Sequence, residues 1–307
     1  MSNVPKTSLW GPGIGSLSVW WQAGRPFTLP ASIVPILIGA ALAYREGELI
    51  WVRFILALIA SLLVQIGVNL VDEYSDHGRP AGALKHPAPY KVIFRRELTA
   101  RAVRMGAIIV LAAATLIGVY LIAVTHWLLL PICLASLAAA YFYAGGPKPL
   151  GHRGFGIPLV FVFMGIVMVT AGYYIHSERW TLDALWASLP VACFVTAILV
   201  VNDLRDLDED RAEGKMTPVT WWGRSFGRGL WLVLVVSGYL VVCGRALLDP
   251  AMRGLLLVLL SLPILFVAAR PVFHGKERET LARGLRMTSL VHFVFGLLFA
   301  IGLIIGR

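Results

Sequence analysis

Apolar segments close to 20 residues long recur along the whole of this chain, and they constrain its fold more than any other feature. We count nine of them, at residues 27–44, 51–71, 102–122, 127–144, 156–175, 184–202, 229–248, 253–270 and 287–306. A helix satisfies its own backbone hydrogen bonds in lipid, whereas a membrane β-barrel requires short segments of alternating polarity, which this sequence does not contain. The pattern therefore predicts an all-α polytopic membrane protein with nine transmembrane helices.

The composition supports this class and excludes an ordinary soluble domain. Of the 307 residues, 58% are hydrophobic and only 14% are charged, which gives a mean hydropathy of +0.77. We predict a single domain over residues 1–307, and we expect no removable signal peptide, because the N-terminal residues do not show the basic, apolar and cleavage-site regions in order. Cys133, Cys193 and Cys243 fall within apolar segments without paired spacing, so we interpret them as packing residues.

The positive charges are distributed unevenly along the chain. The net charge is +10, and all but six of the 27 Lys and Arg residues lie before the first apolar segment, in the connections after segments 2, 4, 6 and 8, or at the segment ends next to these connections. The positive-inside rule then places the N-terminus and those connections in the cytoplasm and, with nine spans, the C-terminus outside. These charges flank membrane segments instead of forming a soluble basic patch, which argues against nucleic acid as a partner.

The sixth apolar segment runs into a dense acidic stretch, Asn202–Asp210, with five acids within eight residues. On a helix that continues past the membrane edge, Asn202, Asp206 and Asp210 share one face, with Asp203 beside them. Because like charges on one face repel, we expect a cation between them, and Mg²⁺ is suited to oxygen ligands and to shared coordination with phosphate. The alternative interpretation is a solvated acidic loop after a membrane helix.

The second apolar segment ends in a matching stretch. Asn69, Asp72, Glu73 and Asp76 fall on one helix face at positions i, i+3, i+4 and i+7. Acidic residues at the depth of the membrane are costly and indicate a functional site. The two acidic stretches lie about 130 residues apart in similar positions, which predicts two weak pseudo-repeats at about 20–145 and 150–270.

Basic side chains accompany both acidic stretches. The candidates are Arg25, Lys85, Lys91, Lys148 and Lys215. Orientation in the membrane alone could explain them, but carboxylates for a metal next to cations for phosphate oxygens predict a site for a diphosphate group. We interpret the charged connector at residues 274–286 as setting topology only.

At these residues the chain resembles the UbiA superfamily of intramembrane prenyltransferases, and most closely the 1,4-dihydroxy-2-naphthoate polyprenyltransferases within it. Four stretches carry the resemblance: Arg25–Pro30, Asn69–Asp76, Gly146–Gly151 and Asn202–Thr217. The chain also departs from the pattern of this subfamily, which commonly has Asn-Asp at positions 72 and 73 and tends to have Tyr and Glu where this chain has His152 and Ile157. Pro80 and the stretch Pro87–Lys91 are further departures in the loop after the second segment.

The resemblance implies nine helices around a central cavity, with Mg²⁺ as cofactor and a polyprenyl diphosphate and an aromatic acceptor as substrates in the lipid bilayer. It implies catalytic roles for Asp72, Glu73, Asp76 and Asp206, and metal binding by Asn69, Asp72, Asp76, Asn202, Asp203, Asp206 and Asp210. Diphosphate binding is assigned to the five basic candidates Arg25, Lys85, Lys91, Lys148 and Lys215.

The function predicted from the sequence is therefore Mg²⁺-dependent transfer of a prenyl group to a quinone precursor resembling 1,4-dihydroxy-2-naphthoate. A membrane terpene cyclase of the same superfamily is the alternative, because it uses the same ionisation but the resulting carbocation closes on itself. A transporter would instead show charges deep within its spans and broken helices at the membrane midplane, whereas the acids here cluster at one membrane face.

Overall fold

The computed structural model describes residues 16–77, 90–144 and 150–306, and within these ranges the protein is all-helical. The helices are α1 (Leu17–Ala23), α2 (Pro30–Arg45), α3 (Trp51–His77), α4 (Ala100–Val124), α5 (Leu129–Ala144), α6 (Gly156–Ser177), α7 (Leu182–Arg205), α8 (Leu207–Ala212), α9 (Pro218–Leu248), α10 (Pro250–His274) and α11 (Arg278–Ile305). Short 3₁₀ turns lie at Pro26–Thr28 and Leu150–His152. An isolated bridge between Arg153 and Met216 is the β pairing found in the described ranges.

Each of the nine predicted apolar segments coincides with a helix, so the all-α polytopic class is confirmed. In the described part of the chain, eight helical segments are long and apolar enough to cross a membrane: Pro26–Arg45, α3, α4, α6, α7, α9, α10 and α11. The ninth, α5, is an apolar helix of 16 residues. At 1.5 Å per residue it reaches about 24 Å, which is shorter than the roughly 30 Å core of a bilayer, and the count of nine spans is therefore approximate.

Two of the long helices contain segments with altered winding that hydropathy does not reveal. Residues Val160–Val167 of α6 form a π-helix, and Pro250–Ser261 of α10 are wound as a 3₁₀ helix. Helix α9 contains a residue with non-helical backbone angles, Gly223, with φ of 82° and ψ of −176°. An apolar pattern predicts that a segment is helical but not how tightly it is wound.

The contacts divide the described chain into two compact units, which we describe separately. The first contains the described residues up to Leu29 together with Ile59–Ile117. Its core is formed by Ala23, Leu70, Val92, Ile93, Leu98, Val103 and Ala107, with Trp20 packed against it. Gly106 in α4 makes this packing possible, because a β-carbon there would lie 2.6 Å from the Trp20 ring. The core therefore fixes α1 and the segment around residues 92–98 against α3 and α4.

The second unit contains Pro30–Leu58 and the described residues from Gly118 onward. Helix α7 is its most buried span, because 78% of the residues in its most apolar 18-residue stretch are buried inside the protein. The Phe194 ring of α7 lies 4.3 Å from the Phe295 ring of α11 and edge-on to Tyr239 of α9. Gly165 of α6 allows a close approach to α7, since a β-carbon there would lie 2.2 Å from that of Ala192. This packing fixes the end of α7, where the second acidic stretch begins.

Candidate functional site

The first acidic cluster lies on the last two turns of α3, in the first unit. Because α3 is continuous to His77, Asn69, Asp72, Glu73 and Asp76 keep the one-sided spacing of a helix. Asn69, Glu73 and Asp76 are buried, with 5%, 2% and 8% of their surfaces exposed. A buried carboxylate requires a cation or several hydrogen-bond donors, so the surroundings of these side chains determine what the cluster can bind.

Lys91 supplies the buried cation of this cluster. Its Nζ lies 2.5 Å from Asp76 Oδ2 and 3.1 Å from Glu73 Oε2, and only 7% of Lys91 is exposed. Glu73 also accepts a hydrogen bond of 3.0 Å from the backbone N–H of Ile93. The segment that carries Lys91 therefore neutralises two of the four predicted acidic-cluster residues.

Arg25 is held against the same cluster by a strained turn between α1 and the following 3₁₀ turn. It has a left-handed backbone with φ of 51°, a conformation that costs a non-glycine residue on the order of 1 kcal/mol. The Asn69 side-chain amide stabilises this turn by donating to the Gly24 carbonyl at 2.8 Å and to Thr28 Oγ1 at 2.9 Å. The Arg25 guanidinium consequently lies 2.5 Å from Asp72 Oδ2 and 4.5 Å from the centre of the Tyr90 ring.

The second acidic cluster lies at the end of α7, in the second unit, and the prediction of one continuous helix through it is wrong. Helix α7 ends at Arg205, Asp206 has φ of −97° and ψ of 9°, and α8 begins at Leu207. The Arg205 guanidinium binds both carboxylate oxygens of Asp206, at 2.8 Å and 2.5 Å, and also the Asn202 oxygen at 2.8 Å. Neighbouring side chains on a regular helix do not face each other, so the paired geometry of Arg205 and Asp206 fits the interruption.

Two further cations bind the acids around this break. Arg278, the first residue of α11, lies 2.8 Å from Asp206 Oδ1 and 2.6 Å from Glu209 Oε1. Lys215 Nζ lies 2.8 Å from Asp210 Oδ2, and the turn that carries it is fixed by a backbone hydrogen bond from Lys215 to Asp210. Asp206 and Asp210 are thus both buried and ion-paired.

Asp203 lies beside Lys215 at a small cavity. The cavity, of about 10 Å³, is lined by Asp203, Lys215, Thr217 and Tyr143 together with Gly151, Gly156, Ile157, Leu199 and Pro218. This volume is close to the minimum that can hold one water molecule. Only 4% of Asp203 is exposed, so this carboxylate faces the protein interior next to the Lys215 ammonium.

The ion pairs of the second cluster set the charge states of its members outside the spans. Burial raises the pKa of Asp206, but Arg205 and Arg278 outweigh it and lower this pKa to about 2. Burial likewise lowers the pKa of Lys215, and the nearby Asp203 and Asp210 carboxylates reverse that effect and raise it well above the ordinary value. Asp206 is therefore an anion and Lys215 a cation throughout the physiological pH range.

The oxygen-rich side chains of both clusters suit Mg²⁺ in chemical type. In the ranges that the structure describes, however, no group of three His, Cys, Asp or Glu side chains is arranged to hold a metal ion. Most of the carboxylates instead face Lys or Arg, as Asp76 faces Lys91 and Asp206 faces Arg205. The donor set thus fits a hard divalent cation, and binding one requires that it exchange with side-chain cations already present.

Two predicted diphosphate ligands, Lys85 and Lys148, lie outside the described residues. Sequence reasoning missed Arg205 and Arg278 as site residues. Arg205 lies inside the second acidic stretch, where its position could have been noticed, since an arginine between buried acids is expected to pair with one of them. Arg278 lies in the connector interpreted as topological, and its contact with Asp206 is visible only in the folded chain.

Comparison with known proteins places the chain among membrane prenyltransferases. The model of the UbiA prenyltransferase family matches residues 32–291. A 1,4-dihydroxy-2-naphthoate octaprenyltransferase from Bacillus subtilis is 30% identical over 287 residues, which cover 94% of this chain and 92% of that protein. The protein of the same name from Mycobacterium tuberculosis is 31% identical over 295 residues, which cover 96% and 99% of the two chains.

Solved structures show the same fold. A UbiA homolog from Archaeoglobus fulgidus, determined with GPP and Mg²⁺ bound, superposes with a TM-score of 0.62 at 12% identity, covering 92% of this chain and 100% of that one. The apo structure of a UbiA homolog from Aeropyrum pernix gives a TM-score of 0.57 at 16% identity, with 89% and 95% covered. At these identities the likeness concerns the fold.

Proposed function

Because this chain belongs to the UbiA prenyltransferase family, we propose that it transfers a polyprenyl group from its diphosphate to 1,4-dihydroxy-2-naphthoate within the membrane. The observation that carries the proposal is the similarity, over 94% of the chain, to relatives named for this reaction. The buried acidic clusters with their paired cations support it, because this donor set suits a diphosphate and a divalent cation. The protein would then be a prenyltransferase of menaquinone biosynthesis.

We assign the donor half of the reaction to the two acidic clusters. Asn69, Asp72, Asp76, Asn202, Asp203, Asp206 and Asp210 would hold Mg²⁺, with Glu73 supporting the first cluster. Mg²⁺, when bound, supplies charge neutralisation of the diphosphate as a leaving group. Arg25, Lys91 and Lys215, together with Lys85 and Lys148 in the sequence, contribute positive charge toward its oxygens.

The chemistry that these groups support is an electrophilic substitution. The C1–O bond of the prenyl diphosphate breaks with its electron pair leaving on the diphosphate, and a ring carbon of the acceptor forms a bond to C1. The ring then recovers its aromaticity by releasing the proton of that carbon; in the naphthoate case a proton is also taken up at the carbon that loses its carboxylate as carbon dioxide. Arg25 and Lys91 stabilise the negative charge that develops on the leaving group because they are fixed near the acids before the reaction begins.

We further propose that the N-terminus and both acidic clusters face the cytoplasm and that the C-terminus lies outside. The support is the concentration of Lys and Arg before the first span and after spans 2, 4, 6 and 8. The integral membrane location itself follows from the eight long apolar helices among the described residues.

The proposal is tested with the purified full-length chain in detergent, supplied with Mg²⁺, octaprenyl diphosphate and 1,4-dihydroxy-2-naphthoate. Mass spectrometry is expected to show a decarboxylated prenyl naphthoquinol, accompanied by release of diphosphate. A cyclic hydrocarbon or alcohol formed without an acceptor would identify a terpene cyclase instead. If neither product forms and no diphosphate is released, the proposed function is wrong.

Matched substitutions assign the reaction to the acidic clusters. Asp206→Asn and Asp76→Asn should each reduce turnover by at least about a hundredfold, since each removes a charge in the region where the leaving group is neutralised. Asp208→Asn is the control within the same acidic stretch, because the Asp208 side chain is 74% exposed and pairs with Arg224 at the surface. Turnover of Asp208→Asn should remain within about twofold of the unsubstituted protein.

A further inference from the structure

Arg278 connects the start of the last helix to the second acidic cluster. Its Nη1 lies 2.8 Å from Asp206 Oδ1 and 2.6 Å from Glu209 Oε1, so one nitrogen bridges two carboxylates. All three residues belong to the second unit, although Arg278 follows Glu209 by 69 positions in sequence. A single cation thus links α11 to both the break after α7 and the short helix α8.

The position of Arg278 in its helix is unfavourable for a cation. The first residues of a helix attract anions, because the backbone N–H groups there are unpaired and the helix dipole is positive at that end. Glu279 is the acidic residue of the first turn of α11, and Glu277 at the N-cap makes no side-chain capping hydrogen bond. Asp206 and Glu209 pair directly with Arg278. The backbone N–H groups at this helix end would attract a diphosphate oxygen.

The loop before α11 does not depend on Arg278 for its conformation. Arg228 of α9 donates hydrogen bonds to the Val272 carbonyl at 3.0 Å and to the Gly275 carbonyl at 2.8 Å. These bonds satisfy carbonyl groups at the end of α10 and hold the loop to α9. Replacement of Arg278 should therefore remove the positive charge beside Asp206, while the loop keeps its conformation.

Arg278 is also the more replaceable of the two arginines at Asp206. Arg205 binds both carboxylate oxygens of Asp206, and its side chain is 8% exposed. Arg278 binds a single oxygen of Asp206 through a nitrogen that it shares with Glu209, and its side chain is 23% exposed. A two-point buried ion pair is more stable than a one-point pair that water can reach. A cation arriving at Asp206 would therefore displace Arg278 before Arg205.

We propose that Arg278 is an exchangeable counter-ion of the second acidic cluster and a further diphosphate-binding residue. It occupies Asp206 Oδ1 and Glu209 Oε1 until a divalent cation takes that place, and its guanidinium then turns to the oxygens of the diphosphate. This inference rests on the proposed function, since it assumes that the cluster binds a divalent cation together with a diphosphate.

Loss of Arg278 should consequently have opposite effects on the two ligands. In Arg278→Gln, a divalent cation alone should bind about three to ten times more tightly, because its competitor at Asp206 has been removed. Inorganic diphosphate, added with saturating cation, should bind about three to ten times more weakly, because one of its own ligands has been removed. A residue with a purely structural role would weaken both, or neither.

The experiment uses the purified full-length chain in detergent and does not require turnover. Mn²⁺ is titrated alone and followed by the electron paramagnetic resonance signal of the free ion, and inorganic diphosphate is then titrated calorimetrically at saturating Mn²⁺. Arg224→Gln is the matched control, since Arg224 also pairs with a carboxylate of α8, but with the exposed Asp208. Its two dissociation constants should equal those of the unsubstituted protein.

The outcomes separate the inference from the proposed function. If the unsubstituted protein binds neither Mn²⁺ nor diphosphate, the proposed function fails and this inference falls with it. If that protein binds both, while Arg278→Gln shifts the two constants in the same direction or leaves them unchanged, the inference alone is overturned. Should Arg278→Gln fail to fold, Arg278→Met decides by the same criterion, because it also removes the positive charge while keeping an unbranched side chain.

Discussion

Lys91 shows how strongly the first acidic cluster depends on one residue. Its ammonium is buried between Asp76 and Glu73, at 2.5 Å and 3.1 Å. Removing one partner of a buried ion pair costs about 3–5 kcal/mol, because the remaining charges stay buried without compensation. We therefore predict that Lys91→Met lowers the thermal unfolding midpoint by several degrees, as measured by light scattering or intrinsic fluorescence in detergent.

A second substitution tests the reason for that loss. In Lys91→Met/Asp76→Asn, one of the uncompensated charges is removed, so the double variant should regain at least part of the lost unfolding midpoint. Lys276→Met, which removes an exposed lysine, should leave the midpoint unchanged. Equal destabilisation of the single and double variants would show that Lys91 acts through packing of its alkyl chain and not through its charge.

The lowered pKa of Asp206 leads to a prediction about pH. Against burial, Arg205 and Arg278 lower this pKa from its ordinary value of 3.8 to about 2, so the folded protein holds the ionised form more strongly than the unfolded chain does. The resulting stability is fully present above about pH 4 and is lost as the pH falls toward about 2. The difference in unfolding midpoint between the unsubstituted protein and Asp206→Asn should thus be largest above about pH 5 and narrow below about pH 4.

The same measurements contain their own control. Asp208→Asn changes an exposed carboxylate two positions away, so its unfolding midpoint should follow that of the unsubstituted protein at every pH. If the Asp206→Asn difference were constant between about pH 6 and pH 3, the ion pairs with Arg205 and Arg278 would not be the source of the stability. Protonation of Asp206 should also cause no loss of turnover as the pH is lowered from about 6 to about 3.

Residue spacing predicted which side chains form each acidic cluster better than it predicted the contacts that these side chains make. The one-sided spacing of Asn69–Asp76 required only a continuous helix, and α3 provides it. The spacing of Asn202–Asp210 assumed the same continuity, but the pairing of Arg205 with its neighbour Asp206 accompanies a break in the helix. Contacts between distant positions, such as Asp206 with Arg278, arise from tertiary packing and cannot be read from local periodicity.

Among the helices, α9 carries a break that bears on the second cluster. Its first turn is fixed by a reciprocal capping box, in which Thr217 and Thr220 exchange side-chain and backbone hydrogen bonds of 2.7 Å and 3.1 Å. Gly223 then takes a φ of 82° and a ψ of −176°, a region open essentially to glycine alone. The break separates this capped turn, which follows Lys215 closely, from the membrane-spanning part of α9.

Two glycines of α9 provide a matched test of that break. Gly223→Ala should destabilise the protein by about 1–3 kcal/mol, because alanine is strained at this φ and ψ. Gly229→Ala lies in the same helix, and no neighbouring heavy atom is within 4 Å of the place that its β-carbon would take. This second substitution should therefore be neutral or stabilising by up to about 1 kcal/mol. Thermal unfolding of both variants in detergent measures the difference, and equal midpoints would contradict a required break at Gly223.

Hydropathy predicted the helices well because burial in lipid selects composition over the length of a whole span. All nine apolar segments proved helical, with ends that differ from the prediction by several residues where helices extend past the apolar region, as α3 and α9 do. The π-helical part of α6 and the 3₁₀ part of α10 were not predicted. Their winding depends on packing against neighbouring helices, which average hydropathy does not describe.

For the whole molecule, topology depends on α5, which is the shortest apolar span in the part of the chain that the structure describes. Helix α5 has 16 residues, and at about 24 Å it falls short of the bilayer core by roughly 6 Å. A mismatch of this size costs only fractions of a kcal/mol per Å and can be met by local thinning of the bilayer. Tyr141 and Phe142 near its end are exposed, as is expected of aromatic residues at a membrane interface.

From the distribution of charge we predict that α5 crosses the membrane. If α5 stayed on one side, every later connection would change sides, and the Lys- and Arg-rich connections after α7 and α10 would lie outside, opposite to those before α4. We therefore predict that the connection between α10 and α11 is cytoplasmic and that the one between α9 and α10 is external. The prediction is tested by labelling Lys276→Cys and Leu248→Cys in intact cells with a membrane-impermeant maleimide.

Both positions suit this measurement because they are exposed in the fold, whereas the native Cys133, Cys193 and Cys243 are buried or half-buried within spans. Leu248→Cys should react in intact cells, and Lys276→Cys should react only after the membrane is permeabilised. The reverse pattern would show that α5 does not cross or that the orientation is inverted, and a second pair of labels before α4 and after α6 distinguishes these two cases. Because α7 and α8 carry the second acidic cluster on the side of Lys276, the same result also determines which membrane face supplies the diphosphate substrate.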